Sequence, residues 1–484
     1  MIFSSNIFLF LFFPASVLLY FVSNKISKSN LFSKIILLIL SLVFYAYGQI
    51  ETLFFVSVFT FCMYVFGNLF EYACIGEKIG GGDNCIGKNK KFLFTSITLS
   101  LIVLIYYKYY YFVLEQINLT FDANFEIQKL IVPIGLSFVF FSSISYLVDI
   151  YRRECKAGSF IDAALYILFF PKMISGPVVL WKDFSKQLQN LSIESKLFSE
   201  GFERFIVGLA KKIIIADTFA SCISQIDAQL PEKLTFLTFW GKSILFMFQL
   251  YFDFSGYSDM AIGMMKIFGF KDTKENFNFP YCSTSITDFW RRWHISLGNW
   301  FREYVYIPLG GNRNGNVYLN LFIVFVLTGI WHGVGLNFLV WGALNGVFIV
   351  IERSISKTKF YNAIPKLIKW LFTMVIVFFL WNVFMNKDFE VTKECFKHLF
   401  TFKNPEKVNF SFLYYFDNRI IIFLIISMIC SFLELVPFVK DKIVSVFSSK
   451  IGNFMKYILL ILLLLVSLSF VVSSTYHPFI YFRF

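Results

Sequence analysis

The feature that most constrains this sequence is a succession of apolar runs, most of them long enough to cross a lipid bilayer. A spanning helix needs about 20 apolar residues, and the chain is 57% hydrophobic and only 15% charged, where soluble domains average about 25% charged. We therefore predict an all-α polytopic membrane protein with about 11–12 transmembrane helices. The runs fall near 6–23, 31–48, 52–70, 92–114, 130–149, 202–220, 234–252, 317–331, 334–351, 366–386, 418–437 and 457–474.

Three regions depart from simple spans. The run 317–331 is short, which suggests one arm of a re-entrant hairpin with 334–351 that turns near Gly333 and Gly335. Proline and glycine break residues 157–201 into short pieces, and the aromatic and charged residues of 253–316 are typical of interfacial helices. No internal repeat is visible, so we predict one membrane domain over 1–484, with N-terminal helices in 1–130, a catalytic core in 131–352 and C-terminal helices in 353–484.

The charge of the loops predicts the orientation in the membrane. The formal net charge is +13, which we attribute to the basic cytoplasmic loops of membrane proteins rather than to nucleic-acid binding. Basic and acidic loops alternate along the chain and place the N-terminus outside, in a bacterial cytoplasmic (inner) membrane. The run 6–23 follows no basic segment and precedes no small-residue cleavage site, so we expect a retained helix and no signal peptide there.

The cysteines give no indication of a metal or redox site. The eight cysteines are scattered, none forms a C-x-x-C pair, and none has zinc-ligand spacing with histidine. We therefore predict structural thiols, no metal and no bound cofactor.

Two of the four histidines are the best catalytic candidates. His332 lies inside an apolar run between Gly329 and Gly333, and His294 ends the motif at residues 289–294. A charged residue at the bilayer centre costs about 2.5–3.5 kcal/mol on insertion scales, whereas neutral imidazole costs less and exchanges protons near neutral pH. The competing interpretation is a buried, hydrogen-bonded structural histidine. For His398 and His477 we favour such a structural role.

Charged residues near these histidines are candidates for binding an anionic substrate. On a helix, Asp288, Arg291 and Arg292 share one face, and arginine binds phosphate well through its planar guanidinium group. We include Arg302 in the same group; contact with lipid headgroups is the alternative for any of these arginines. Asp253 can pair with an arginine or orient a histidine, and a structural ion pair is the competing interpretation.

Ten segments of the chain carry a resemblance to a known family. They are 133–138, 145–152, 169–172, Gly176-Pro177, 252–259, 289–296, 300–302, 306–313, 331–333 and 478–482. These segments resemble the membrane-bound O-acyltransferase family, and in particular its alginate O-acetylase branch. The resemblance extends from about residue 130 to the end of the chain, and the first 130 residues match only in hydropathy.

The resemblance implies a fold, a reaction and two site residues. It implies a ring of membrane helices around a central funnel or tunnel, and acyl transfer from a thioester to a hydroxyl. The family's near-invariant histidine corresponds to His332, and its companion to His294. Imidazole is a suitable base for the hydroxyl, and acetyl-CoA is the expected donor. Candidate binding residues for that donor or the acceptor are Arg291, Arg292, Arg302, Arg313, Asp253, Trp293 and Trp331.

The acceptor is left open by the sequence. A cell-envelope polysaccharide is expected, whether an alginate-like exopolysaccharide, a capsule or peptidoglycan. A separate periplasmic or extracellular esterase-like acetyltransferase is the expected partner, because no Gly-Asp-Ser nucleophile block is present in this chain. The alternatives are D-alanyl transfer to teichoic acid, a lipid-linked sugar transporter or flippase, and a non-catalytic scaffold for a polysaccharide synthase. Segment 306–313 resembles the polysaccharide acetylases, which favours acetyl transfer over D-alanyl transfer. An inverted repeat would indicate a transporter, and none is visible in the sequence.

Overall fold

A computed structural model of the chain is α-helical, and no strand occurs in the part of the chain that it describes. The all-α prediction is confirmed. The structure describes residues 2–27, 29–80, 84–128, 130–386, 388–402 and 408–473, with the backbone alone for 73–80, 84–89 and 444. The side chains of Cys74 and Cys85, together with His477 and the motif 478–482, lie outside the described part.

Long apolar helices dominate the described ranges and make this a multi-pass membrane protein. Two shorter apolar helices, Leu136–Tyr151 and Val317–His332, match further predicted runs. The total of about 11–12 crossings and the ring around a tunnel stay predictions. Eight helices within the described residues are long and apolar enough to span: Phe8–Ile26, Asn30–Gly48, Leu53–Tyr72, Lys90–Phe121, Leu336–Ile355, Lys366–Met385, Asn418–Leu435 and Lys450–Ser473.

Two predicted runs, 202–220 and 234–252, belong to longer helical stretches. The first lies in a continuous stretch whose middle is a π-helical segment, Lys211–Ala216. The second continues fifteen residues past its apolar part, in a helix that runs Phe236–Ile267. Asp253 and Asp259 follow the predicted apolar run, and the structure places both inside this helix rather than beyond its end. Lysines of the first stretch neutralise both carboxylates, so the helix continues.

The chain forms two compact units. The first comprises residues 1–205 and 261–274. Its segment 157–201 is broken into short helices, as predicted, and one of them, Phe160–Leu168, begins with a capping box between Ser159 and Asp162. The helices of this unit include Phe13–Ile26, Asn30–Gly48, Leu53–Gly80, Asn84–Phe121, Leu136–Tyr151, Phe160–Leu168, Phe170–Met173 and Trp181–Leu188.

The second unit comprises residues 206–260 and 275–484 and contains both candidate histidines. Its core is rich in aromatic side chains, with Trp293, Trp341 and Trp381 each at most 3% exposed. Its helices include Asp217–Asp227, Ile286–Arg292, Ile295–Phe301, Val317–His332, Leu336–Ile355, Lys366–Met385, Phe389–Phe400, Asn418–Phe432, Pro437–Ser448 and Lys450–Ser473. The prediction of one domain over 1–484 stays a prediction.

The predicted hairpin is present in the second unit. Helices Val317–His332 and Leu336–Ile355 pack against each other and are joined by residues 333–335. The two helices approach closely at Gly329 and Gly342, where a Cβ added to Gly329 would lie 3.0 Å from Gly342 Cα. We call this pair of helices the histidine hairpin. The lack of a side chain at Gly329 allows this close approach of the two backbones.

Candidate functional site

A cavity of the second unit lies against the predicted basic and aromatic segment. Its volume is about 510 Å³. Three arginines line it, Arg291, Arg302 and Arg353, and no aspartate or glutamate does so among the described residues. The arginines are exposed, whereas His294, which also lines the cavity, is only 3% exposed. The cavity therefore combines exposed cationic groups with a buried imidazole.

His294 is held at a sharp turn between two short helices. Helix Ile286–Arg292 ends just before it and helix Ile295–Phe301 begins just after it. Its backbone has φ 46° and ψ 52°, the left-handed region, which costs about 1–2 kcal/mol for a residue other than glycine. Two backbone hydrogen bonds to the segment 276–278 hold the turn. Ile295 N donates to Asn276 O and Asn278 N donates to Arg292 O, both at 3.0 Å.

The His294 ring sits among polar groups on one edge and aromatic rings on its faces. Its Nδ1 lies 3.2 Å from Asn276 Oδ1 and 3.5 Å from Ser296 Oγ. Phe254 meets the ring edge-on at a centroid distance of 4.5 Å. The other nitrogen, Nε2, is buried and has no hydrogen-bond partner among the described residues. Burial lowers the pKa of His294 to about 3, so the ring is neutral at physiological pH.

His332 lies at the end of the first helix of the histidine hairpin. Its side chain is buried, at 7% exposure. Trp341 and Phe384 both meet the ring edge-on at centroid distances of 5.1 Å, and Trp331 lies 4.6 Å away. Predicted site residue Trp331 thus packs against the imidazole.

The hairpin also anchors the short helix that precedes His294. The Glu352 carboxylate accepts hydrogen bonds from Ile286 N at 2.5 Å and Thr287 N at 3.1 Å. Trp290 Nε1 donates to Asn345 Oδ1 at 3.1 Å. The His294 turn and the His332 helix are therefore parts of one packed structure.

The structure brings only some of the predicted residues to the cavity. Trp293 lines it together with Arg291, Arg302 and His294, but Arg292 and Arg313 do not. Arg292 is in ion pairs with Asp288, at 3.0 Å, and with Glu434. The predicted shared face of Asp288 and Arg292 is thus confirmed, as a structural contact. Arg313 is exposed in the turn that follows Tyr306.

Asp253 lies in a buried ion pair away from the cavity lining. Its carboxylate is 2.8 Å from Lys212 Nζ, which also contacts Asp217 at 2.6 Å. Asp253 and Lys212 are both about 1% exposed. The sequence offered an arginine of the following segment as one possible partner of Asp253, and the ion pair that the structure shows is with a lysine of the preceding π-helical segment. These contacts support the competing interpretation, a structural ion pair.

Sequence reasoning missed two residues that the structure places at the site. Arg353 was not among the predicted site residues, yet it lines the cavity, where its guanidinium donates to Asn312 Oδ1 at 3.0 Å. Asn276 was given no role, and it contacts His294. Glu352, which precedes Arg353 in the chain, anchors helix Ile286–Arg292, and the sequence did not indicate this role either. His398 stacks on Phe239 at 4.5 Å, which suits the structural role that we favoured.

The sequence matches one protein-family model over most of its length. That model is described as MBOAT, the membrane-bound O-acyltransferase family, and it matches residues 37–433. The matched range includes both histidines and every residue that lines the cavity.

Three curated proteins are similar in sequence to this chain. The probable alginate O-acetylase AlgI of Pseudomonas aeruginosa is 38% identical over 412 residues, which cover 83% of this chain and 75% of that protein. The peptidoglycan O-acetyltransferase of Helicobacter pylori is 31% identical over 526 residues, covering 100% and 98%. The teichoic acid D-alanyltransferase of Bacillus subtilis is 30% identical over 266 residues, covering 51% and 66%.

Proposed function

Because this chain belongs to the membrane-bound O-acyltransferase family and is an O-acyltransferase, we propose that it transfers acetyl groups to a cell-envelope polysaccharide. The donor is a cytoplasmic thioester, acetyl-CoA. The acceptor is alginate-like exopolysaccharide, capsule or peptidoglycan. Two relatives support acetyl transfer by their names, and one of them, a peptidoglycan O-acetyltransferase, is similar over the whole chain.

The observation that carries this proposal is the arginine-lined cavity beside His294. A coenzyme A thioester has a negatively charged phosphate end and a long neutral arm. Arg291, Arg302 and Arg353 supply positive charge on the exposed side, and no carboxylate opposes them within the described lining. Arginine forms short, charge-assisted hydrogen bonds to phosphate. The phosphate end then lies at the arginines, and the thioester reaches inward toward the buried imidazole.

The chemistry assigns the base to His332. The acceptor hydroxyl oxygen attacks the thioester carbonyl carbon, the C–S bond breaks, and an ester and a thiol are formed. His332 takes the hydroxyl proton and returns it to the sulfur, so that the imidazole is neutral before and after. Its aromatic surroundings support this role, because a water-poor site limits competing hydrolysis of the thioester.

Location and partner complete the proposal. The alternating loop charges favour the cytoplasmic (inner) membrane with the N-terminus outside. The acetyl group enters from the cytoplasm and leaves on the outer side, through a tunnel between the helices. A separate periplasmic or extracellular esterase-like acetyltransferase places it on the polymer.

D-alanyl transfer is the second candidate, favoured by the similarity to the teichoic acid D-alanyltransferase. That similarity covers 51% of this chain, whereas the acetyltransferase similarity covers all of it. The donor distinguishes the two. Purified protein that uses acetyl-CoA supports acetyl transfer, and protein that uses only a D-alanyl carrier protein refutes it.

The test is a histidine substitution with a matched histidine control. In cells, His332→Ala is expected to abolish ester-linked acetate on the envelope polymer while the protein remains in the membrane at the wild-type level. His398→Ala, which removes a histidine stacked on Phe239, is expected to leave the acetate content unchanged. An unchanged acetate content in His332→Ala would refute the assignment of the base.

A further inference from the structure

Asn276 makes contacts that decide how the His294 ring carries its proton. The side chain is 1% exposed. Its Oδ1 lies 3.2 Å from His294 Nδ1, 3.1 Å from Ser296 N and 2.8 Å from Ser296 Oγ. Its Nδ2 donates to Ser258 Oγ at 2.9 Å. One amide thus contacts the imidazole, the first turn of the following helix and the long helix Phe236–Ile267.

The contact with Ser296 N fixes the orientation of the amide. A backbone N–H only donates, so the Asn276 atom that faces it must be the oxygen. An amide oxygen only accepts, so the His294 nitrogen beside it, Nδ1, must carry a proton to form a hydrogen bond. The Ser296 hydroxyl donates its proton to Asn276 Oδ1. The lone pairs of Ser296 Oγ therefore remain available to accept from His294 Nδ1–H.

The other nitrogen then has a defined role. A neutral imidazole carries one proton, so a protonated Nδ1 leaves a lone pair on Nε2. Nε2 is buried and has no hydrogen-bond partner among the described residues, while the residue itself lines the cavity. His294 in this form accepts a hydrogen bond or a proton, and it cannot donate one to a thioester carbonyl oxygen.

We propose that Asn276 is a positioning residue that keeps the proton of His294 on Nδ1, so that His294 meets the ligand of the cavity as an acceptor through Nε2. The proposal rests on the proposed function only for the identity of that ligand. It assigns a role to an asparagine that touches no reactant. It also assigns different tasks to the two edges of the ring, with one edge held by the protein and the other used in the reaction.

The tautomer is measured directly by NMR of protein labelled with ¹³C and ¹⁵N at histidine, in detergent micelles. The chain has only four histidines, and each signal is assigned by substituting one histidine at a time. The wild-type protein is expected to show His294 as the Nδ1–H tautomer. Asn276→Leu, which has similar size and no acceptor, is expected to lose this preference. An Nε2–H tautomer in the wild type, or an unchanged tautomer in Asn276→Leu, overturns the proposal.

A conservative variant and a neighbouring control separate positioning from general stability. Asn276→Asp retains an oxygen beside Nδ1 and is expected to keep the Nδ1–H tautomer even if Asn276→Leu does not fold. Asn278→Leu, two residues away at an exposed position, is expected to change nothing; loss of the tautomer there, or in Asn276→Asp, overturns the proposal.

Activity provides the second readout. With acetyl-CoA as donor, Asn276→Leu is expected to lower the rate of acyl transfer about 100-fold, within the range of general acid–base effects. Asn276→Asp is expected to restore most of it, and wild-type rates in Asn276→Leu overturn the positioning role. If the wild-type protein shows no acetyl transfer, the proposed function fails, whereas the NMR result still decides the tautomer.

Discussion

Trp293 and Trp381 lie with their ring centroids 4.8 Å apart, and this contact links the surroundings of the two candidate histidines. Trp293 immediately precedes His294 in the chain. Trp381 contacts Trp341 and Phe384, at 6.0 and 5.7 Å, and both of these meet His332 edge-on. The two imidazoles are therefore positioned by one continuous group of aromatic side chains.

Arg302 is expected to contribute to donor binding and not to the chemical step. Arg302→Gln should raise KM for acetyl-CoA by about 10- to 150-fold, because losing one charge-assisted hydrogen bond costs about 1.5–3 kcal/mol, with kcat little changed. Steady-state kinetics with acetyl-CoA measures both constants. Lys357→Gln removes an exposed cation outside the cavity lining and should leave KM unchanged. A fall in kcat at constant KM would contradict a binding role for Arg302.

The sequence predicted the fold class and part of the site for identifiable physical reasons. Apolar runs report burial in lipid directly, which is why the long helices and the hairpin at His332 were recognisable. Ion pairs between helices are not visible in a hydropathy pattern. For that reason the predicted run ended at residue 252, although the helix continues to Ile267 and Lys212 neutralises the Asp253 carboxylate.

Residues of the site that depend on tertiary contacts were predicted less well. Arg291 and Arg302 reach the cavity, whereas Arg292 is occupied by Asp288 and Glu434. Arginine identity alone cannot distinguish these two situations. Arg353 lies more than 50 positions after His294 in sequence, so only the packing of the hairpin brings it to the same cavity.

The buried, neutral state of His294 predicts how stability depends on pH. Burial lowers its folded-state pKa to about 3, whereas the unfolded value is about 6.5. Between these values the unfolded chain binds more protons, so the stability that the neutral ring contributes is fully present above about pH 6.5 and is lost progressively as the pH falls toward 3.

Thermal unfolding in detergent between pH 7 and pH 5 should therefore show a smaller decrease in Tm for His294→Asn than for the wild type. His398→Asn retains His294 and should keep the wild-type decrease. Equal slopes for wild type and His294→Asn would contradict the neutral state.

The Lys212 cluster is expected to be structural, which a set of substitutions can test. Lys212→Met leaves the carboxylates of Asp253 and Asp217 without this cation and should destabilise the protein by about 3–5 kcal/mol. Asp253→Asn should cost less, because Lys212 keeps Asp217. The double variant should cost less than the sum of the two. Lys393→Met breaks an exposed pair with Glu390 and should change stability by less than about 1 kcal/mol.

Two measurements on these variants distinguish a structural role from a substrate-binding role. Unfolding in detergent measures stability, and KM measures the binding of acetyl-CoA. A substitution of Asp253 that raises KM without lowering stability would favour the substrate-binding role that the sequence suggested.

Substitution of Gly329 tests whether the close approach of the two hairpin helices positions His332, which lies three residues further along the chain. A Cβ at Gly329 would overlap the Phe338 carbonyl oxygen of the second hairpin helix and would lie 3.0 Å from Gly342 Cα. Gly329→Ala must therefore push the two backbones apart, at a cost of about 1–3 kcal/mol. Gly298→Ala is the matched control, because a Cβ there meets nothing closer than Trp290 O at 3.9 Å. That substitution removes a helix-interior glycine and should stabilise the protein by up to about 1 kcal/mol.

The temperature of thermal unfolding should therefore fall in Gly329→Ala and rise in Gly298→Ala. Acetyl transfer should fall in Gly329→Ala at temperatures where the protein is still folded; full activity there would show that the approach of the helices does not position His332.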